Sequence, residues 1–270
     1  MPALRGIVAF MRTAAWLTVF GLLSLWPARA QNIVPAATLV IPVAGSTPGA
    51  EGTFFRTDLT VTNHREVAET VAIAFFGAGA FYYGDPTFET TLELPPGSTT
   101  TYEDVVATLL RSGGSMGTII INPLYPPPLR KDARLSATYR IWTPQPGGTG
   151  TLSQSSNALD MAALASAGNS RVVTGVRQDA GFRCNVGIFS NSYNDRTFRV
   201  TAKSPSGSVK TTVKAGGFSL TQVPLPPANL GYMTVTIELL DGRSDDVWTA
   251  YATSVDNRSG DSWLQNAYSR

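Results

Sequence analysis

The chain has 270 residues, a net charge of +2, one histidine and a single cysteine. With one cysteine there is no disulfide framework, so its domains must be large enough to fold by hydrophobic burial alone. The small net charge provides no basic field of the kind that binds nucleic acid.

The N-terminal 30 residues carry the pattern of a secretory signal peptide. Arginines precede an apolar run over residues 14–26, and Ala28-Arg29-Ala30 places small residues at the −3 and −1 positions of a cleavage site. The run is shorter than the roughly 20 residues that span a bilayer. We therefore expect cleavage before Gln31 and a periplasmic or extracellular protein with no membrane span. Losing the three arginines of residues 1–30 changes the net charge from +2 to −1.

Most of the remaining sequence alternates with the period of a β-strand. In residues 55–62, Phe55, Leu59 and Val61 fall on one face and Arg56 falls on the other. This pattern predicts a half-buried strand with the arginine facing outward. Comparable strands are expected at 70–76, 87–94, 118–121 and 135–142, and one short helix is expected at 103–111.

The second half of the sequence repeats the first. The segment Phe182–Ile188 matches Phe55–Val61, and a threonine, Thr70 or Thr197, follows 15 residues after each phenylalanine. The segment 249–252 likewise matches 136–139. The offset, about 127 residues at the start of the repeat, is too long for a solenoid repeat, so we interpret it as a duplicated domain.

These patterns predict an all-β protein made of two tandem antiparallel β-sandwich domains of immunoglobulin-like type, each with about seven short strands. The expected order is a signal peptide at 1–30, a first domain at 31–152, a linker at 153–170 and a second domain at 171–270.

Four motifs resemble tandem β-sandwich repeat regions of secreted bacterial proteins. They are Phe55–Asn63, Leu94–Gly97, Gly175–Asp179 and Val255–Asp261, within a resemblance that extends from about Ala37 to Gln265. The resemblance implies an extracytoplasmic structural or binding module. It brings no known catalytic residue.

The densest aromatic cluster lies at residues 81–88 and contains Phe81, Tyr82, Tyr83 and Phe88. Exposed rings in such a loop would stack on a sugar or anchor a protein partner. Alternate rings would instead pack beneath a hairpin if the segment is purely structural.

A second candidate site is the segment 256–261, where Asp256, Asn257 and Asp261 supply the hard oxygen ligands that Ca²⁺ accepts. The segment lacks the alternating carboxylates of an EF-hand loop. The competing interpretation is a hairpin turn in which these side chains bond to nearby backbone.

The residues that suggest catalysis lack the context that catalysis needs. Ser115 lies in a G-x-S-x-G sequence, but a predicted helix precedes it and a predicted strand follows, the reverse of a nucleophile elbow. His64 is expected in a solvated loop, and Cys184 is expected as a small buried side chain.

We therefore expect a non-enzymatic exported structural, adhesive or binding module without a cofactor, whose partner is a protein or a glycan. A carbohydrate-binding protein that uses the aromatic loop is the alternative. A secreted hydrolase is the third and least favoured hypothesis.

Overall fold

The structure, a computed structural model, describes residues 35–49, 52–79, 84–124, 134–145 and 147–269. Nearly all of its regular structure is β-strand, arranged in antiparallel sheets, so the all-β prediction is confirmed. The signal peptide predicted at 1–30 lies outside the described residues. Within them, no helix is long and apolar enough to cross a membrane.

The first half of the described chain forms nine strands and one short helix. Strands β3, β6 and β1 lie side by side with β4 and β9 at the edges, and β2 pairs with β5 and β7, which in turn pairs with β8. The strands are β1 (Leu39–Pro48), β2 (Phe54–Asn63), β3 (Glu69–Gly77), β4 (Phe88–Leu94), β5 (Thr99–Tyr102), β6 (Ser115–Pro123), β7 (Leu135–Pro144), β8 (Thr151–Asn157) and β9 (Leu159–Asp160). Helix α1 (Val105–Thr108) lies within the predicted helix but is shorter.

The second half forms two five-stranded sheets. One has the order β14-β13-β16-β11-β19, and the other has the order β10-β17-β12-β15 with β18 also paired to β17. The strands are β10 (Ala165–Ser166), β11 (Ser170–Gln178), β12 (Phe182–Asn191), β13 (Arg196–Ser204), β14 (Gly207–Ala215), β15 (Ser219–Pro224), β16 (Gly231–Leu239), β17 (Val247–Asp256), β18 (Ser262–Asn266) and β19 (Tyr268–Ser269).

Each half has its own hydrophobic core, and most of the predicted inward positions lie in it. Leu59 and Val61 are buried in the core of the first half, and Val186 and Ile188 are buried in that of the second. Their alternation with outward residues is that of a strand with one face against a core.

The prediction that Phe55 and Phe182 belong to these cores was wrong. Phe182 opens β12 and Phe55 is the second residue of β2, and both are only half-buried, because the start of each strand reaches the end of its sheet, where fewer side chains cover it. The ring of Phe182 packs at 5.5 Å from the ring of Trp263 and lies under the guanidinium of Arg177.

A third apolar cluster joins the two halves. Val40, Phe76 and Ile120, on the outer face of the first half, pack with Phe189, which lies on the outer face of β12. Burial of these side chains removes apolar surface of both halves from water, and it fixes the two halves against each other.

The segment 153–170, expected to be a linker, contains regular structure. It includes most of β8, all of β9 and β10, and a 3₁₀ turn at Met161–Ala163. Strand β8 pairs with β7 along its length. The division of the chain into domains stays a prediction.

Candidate functional site: a groove between the two halves

The floor of the groove is built around Tyr251 on β17. A side chain at Gly187, its neighbour on β12, would place a Cβ 2.1 Å from the tyrosine ring, so the ring can cross β12 only because this residue is glycine. The Tyr251 hydroxyl then donates a hydrogen bond of 2.5 Å to Oε1 of Gln222 on β15. Burial raises the pKa of Tyr251, which keeps the hydroxyl neutral and able to donate.

The first half supplies the opposite wall through Phe55. Its ring lies against Gly49, where an added Cβ would be only 2.4 Å from the ring. The Gly49 amide donates to the carbonyl of Thr53 at 2.9 Å, which closes the connection between β1 and β2. The tight turn therefore holds the Phe55 ring at the groove.

Arg183 stands at the mouth of the groove, on the outward phase of β12. Its Nη1 donates to Oδ1 of Asn257 at 3.0 Å, and the backbone amide of Asn257 donates to the carbonyl of Gly181 at 2.9 Å. Three cavities, of about 240, 260 and 600 Å³, all include Arg183 in their walls. The first two also share Phe55, and each is slightly smaller than the range of about 300–1,000 Å³ that is usual for small-molecule sites.

The interior of the 240 Å³ cavity is mainly apolar and draws on both halves. Val43 and Ile141 come from the first half, and Leu264 comes from β18. Gln154 also borders this cavity, and its buried Oε1 accepts no hydrogen bond from the described residues. A buried acceptor of this kind is costly unless a ligand or water donates to it.

The turn at 256–261 forms the outer rim. Asp256 Oδ1 accepts the backbone amide of Arg258 at 2.7 Å, and the Asp256 amide donates to the carbonyl of Asp261 at 2.8 Å. Gly260 has a φ of 72°, which favours glycine. The amide of Arg258, more than the opposing effect of burial, lowers the pKa of Asp256.

The metal-binding residues predicted in this turn have other contacts. Asp256 and Asn257 border the 260 Å³ cavity, whereas Asp261 Oδ1 accepts the amide of Ser262 at 2.9 Å. Within the described ranges, no group of three or more His, Cys, Asp or Glu side chains is arranged to hold a metal ion. A metal at these residues stays a prediction.

The aromatic loop can be placed only in part. Phe81, Tyr82 and Tyr83 lie outside the described residues. Phe88 opens β4 and packs against the first core, half-buried. The structure does not bring Phe88 together with the groove residues.

Of the residues considered for catalysis, Ser115 and His64 border none of the three cavities, whereas Cys184 borders the 600 Å³ cavity. Ser115 opens β6 after helix α1, and its hydroxyl donates to the carbonyl of Ser112. His64 Nε2 lies 2.7 Å from Oγ of Ser136, a buried residue of β7. Burial raises the pKa of Cys184 to about 12, so its thiol stays protonated at neutral pH.

Sequence reasoning did not identify the groove as a site, although one signal was present. The outward phase of β12 reads Arg183, Asn185, Gly187 and Phe189, an apolar end beside a polar end. A fully solvated face would have no reason to carry a phenylalanine at position 189. That mixture indicates a face that another part of the molecule covers only partly.

Comparison of the chain with models of protein families and with curated proteins finds no match.

Proposed function

We propose that this protein is a non-enzymatic exported binding module whose ligand occupies the groove between its two halves. The observation that carries the proposal is the composition of the walls: Phe55 and Val43 come from one half, and Arg183 and Tyr251 come from the other. The shared apolar cluster at Phe189 holds these walls in place, which reduces the ordering cost of binding.

The chemistry of the groove supports binding over catalysis. The polar groups of its 240 Å³ cavity are a guanidinium, amides, threonine and serine hydroxyls, and a tyrosine whose pKa burial raises, all suited to donating or accepting hydrogen bonds at neutral pH. Small-molecule sites commonly combine a mainly apolar lining with a few such groups. Export is proposed from the N-terminal sequence pattern, with a periplasmic or extracellular location.

The proposal includes an architecture of two duplicated β-sandwiches, supported by equal strand pairing in the halves. Val61 pairs with Ala137 in the first half, and Ile188 pairs with Ala250 in the second. In both halves the first long strand, β1 or β11, has a register shift where it pairs with β6 or β16. Such bulges are specific features that a common origin would retain.

The immunoglobulin-like part of the proposal is refined by the strand order. In immunoglobulin domains, the seventh strand pairs with the sixth and the first pairs with the second. Here β6 pairs with β3 and with most of β1, β1 also pairs with β2 at Thr47 and Pro48, and β7 pairs with β2. The inner pairs β2–β5 and β3–β6 match the immunoglobulin arrangement, whereas β7 lies beside β2 and β1 pairs with β2 only at its end.

The test is a binding screen of the mature chain against glycan and peptide libraries, repeated with two matched variants. We expect Arg183→Ala to weaken the ligand that binds. Arg56→Ala should not, because Arg56 occupies the equivalent position of the first half and lies 3.6 Å from Asp104 instead of at the groove. Equal binding by both variants would contradict the groove as the site.

A second candidate is glycan binding at the aromatic loop, which one contact favours. Gly84, within the segment 81–88, lies so close to Tyr193 that an added Cβ would be 3.0 Å from its ring. Tyr193 is 67% exposed and packs edge-on to Phe218. If Tyr193→Ala abolishes glycan binding and Arg183→Ala does not, this second candidate replaces the first.

A further inference from the structure

We propose that the groove binds an acidic glycan, with the carboxylate of a uronic acid held by Arg183 and Arg258 and the sugar ring lying against Phe55. This inference rests on the proposed function, because it names the class of ligand for the same site. Three observations support it: Arg183 and Arg258 lack carboxylate partners among the described residues, polar groups line the interior of the groove, and the strands beneath the groove are already paired.

Among the described residues, three other arginines of the second half each face a carboxylate, and Arg183 and Arg258 do not. Arg177, Arg196 and Arg199 each lie within 3 Å of an aspartate or glutamate oxygen. In the part of the chain that the structure describes, neither Arg183 nor Arg258 has a carboxylate within 4.0 Å, and both border the 260 Å³ cavity.

The hydrogen bond from Arg183 to Asn257 leaves most of its donors available. A guanidinium has five N–H donors in a planar fork, and one of them points to Oδ1 of Asn257. A carboxylate matches the remaining fork in a bidentate geometry, which is stronger and more specific than a neutral hydrogen bond.

One carboxylate, that of Asp256, borders the same cavity as the two arginines. Oδ1 of Asp256 accepts the backbone amides of Arg258 and Ser259. Asp256 keeps its negative charge and interacts electrostatically with Arg258, so two guanidinium groups and one carboxylate give the described wall of this cavity a net charge of +1 (2 − 1). The local excess of positive charge favours an anionic ligand.

The interior of the groove suits a sugar. Phe55 presents an aromatic ring to both of the smaller cavities, and aromatic rings pack well against the apolar faces of pyranose sugars. Gln154 contributes a buried Oε1 that no described group donates to, and Gln222 and Asn185 add further amides. Sugar hydroxyls donate to such oxygens and accept from such amide hydrogens.

The strands beneath the groove disfavour an extended peptide. Strand β12 pairs with both β15 and β17, and β17 pairs with both β12 and β18. Their backbone groups are therefore already used, so a peptide cannot add to the sheet there. Recognition has to come from side chains, which is the usual situation for a glycan.

A competing basic surface exists and supplies the control. Lys203, Lys210 and Lys214 are three of the four lysines of the chain and lie exposed on β13 and β14. Lysines on an edge strand such as β14 also prevent edge-to-edge association. A polyanion that binds by charge alone would bind there.

The experiment is calorimetric titration of the mature chain with a galacturonic acid tetramer, the neutral galactose tetramer, and a glutamate tetramer. We expect the acidic sugar to bind on the order of 10-fold to 100-fold more tightly than the other two. Arg183→Ala should weaken the acidic sugar by a similar factor. Arg56→Ala and the combined variant Lys210→Ala/Lys214→Ala should change its affinity less than 3-fold, roughly the scale of screened surface charges.

Phe55→Leu should weaken the acidic and the neutral sugar by the same factor, since the ring contacts no charge. Arg183→Lys should recover only part of the affinity, because an ammonium keeps the charge without the fork. Unchanged thermal unfolding of each variant shows that folding is intact.

Other results would overturn the inference in distinguishable ways. Equal binding of both sugars, lost in Arg183→Ala, would retain the groove as a site and reject the acidic specificity. Tighter binding of the glutamate tetramer would indicate an acidic peptide. Loss of binding only in the lysine variant would place the contact on β14. Absence of binding to either sugar would reject the glycan, and the library screen would then decide the proposed function.

Discussion

The outer faces of two equivalent sheets show how packing shapes sequence. In the first half, the outward positions of β3 and β6 include Ala74, Phe76 and Ile120, all buried against the second half. The corresponding strands of the second half, β13 and β16, carry polar residues such as Thr201 and Lys203 outward. The strand order is the same in both sheets, and the covered face is apolar whereas the open face is polar.

A second comparison concerns charge inside the molecule. Glu69, at the start of β3, is buried and lies 2.8 Å from Arg65. Arg196, at the start of β13, is buried and lies 2.5 Å from Asp246. The same structural position therefore holds a buried charge of opposite sign in each half, each with its own partner. This indicates that pairing, and not the identity of the charge, is what the position requires.

The largest loss in the free energy of unfolding is expected when a side chain is removed from the buried outer face of the first half. Phe76→Ala removes a ring that packs at 6.0 Å from Phe189 and 6.1 Å from Phe218, so it should cost about 3–5 kcal/mol of the free energy of unfolding. Lys203→Ala, the matched change on the open face, should remain within about 0.5 kcal/mol. Urea denaturation of both variants measures the difference. Similar costs would mean that the two halves do not depend on this interface.

The second-largest effect on the free energy of unfolding is expected when a core residue is compared with a residue near the end of a strand. Leu59→Ala should cost about 2–5 kcal/mol, because the side chain is fully buried in the first core. Phe55→Ala should cost about half as much, since its ring is half-exposed at the groove. If Phe55→Ala were the more damaging, the ring would be part of the core and not of the groove wall.

The buried pair of the second half predicts a dependence of stability on pH. Burial alone would raise the pKa of Asp246, but hydrogen bonds from Arg196 and from the Arg243 amide lower it below its ordinary value. Its stabilising contribution is therefore complete above about pH 4, the range of an unfolded aspartate, and is lost as pH falls through the lowered pKa. The urea midpoint should decline below pH 4, and less steeply in Asp246→Asn. If the urea midpoints of the unchanged protein and of Asp246→Asn declined in parallel, Asp246 would not be the source of the pH dependence.

The smallest effect is expected at the outward arginines. Arg56→Ala and Arg183→Ala should each change the free energy of unfolding by about 1 kcal/mol or less, because both side chains lie at the surface. Chemical denaturation gives the free energy of unfolding of both arginine variants, and the same measurement on Leu59→Ala shows how large the loss from a core residue is. A large loss for either arginine variant would mean that its strand is shifted by one residue.

The alternation in the sequence was sufficient to predict the all-β class and, in the first half, strands β2, β3, β4, β6 and β7, but it did not predict β8, β9 and β10 in the segment expected to be a linker. Leu59, Val61, Val186 and Ile188 are buried as their phase predicts, because a strand with one covered face needs an apolar residue at every second position. The position of Phe55 was missed, because periodicity says which face a residue is on but not how far the opposite sheet extends over it.

The groove could not be predicted in the same way, because it depends on contacts between distant segments. Gly187 and Gln222 are 35 positions apart, and strand pairing places Gly187 between Tyr251 and Gln222, so that the tyrosine ring crosses the glycine to reach the glutamine. A glycine within a strand is a known sign of close approach, yet the sequence does not say which ring approaches. The rim turn at 256–261 was recognised as polar, and its place beside Arg183 follows from the pairing of β12 with β17.

The most direct test of the account is to map the backbone amide signals of the mature chain by NMR during titration with the galacturonic acid tetramer. The groove predicts that the largest shifts occur at Arg183, Asn257 and Ser262, and that they disappear in Arg183→Ala. Shifts confined to Lys210 and Lys214 on β14, or to Tyr193 beside the aromatic loop, would contradict the groove as the binding site.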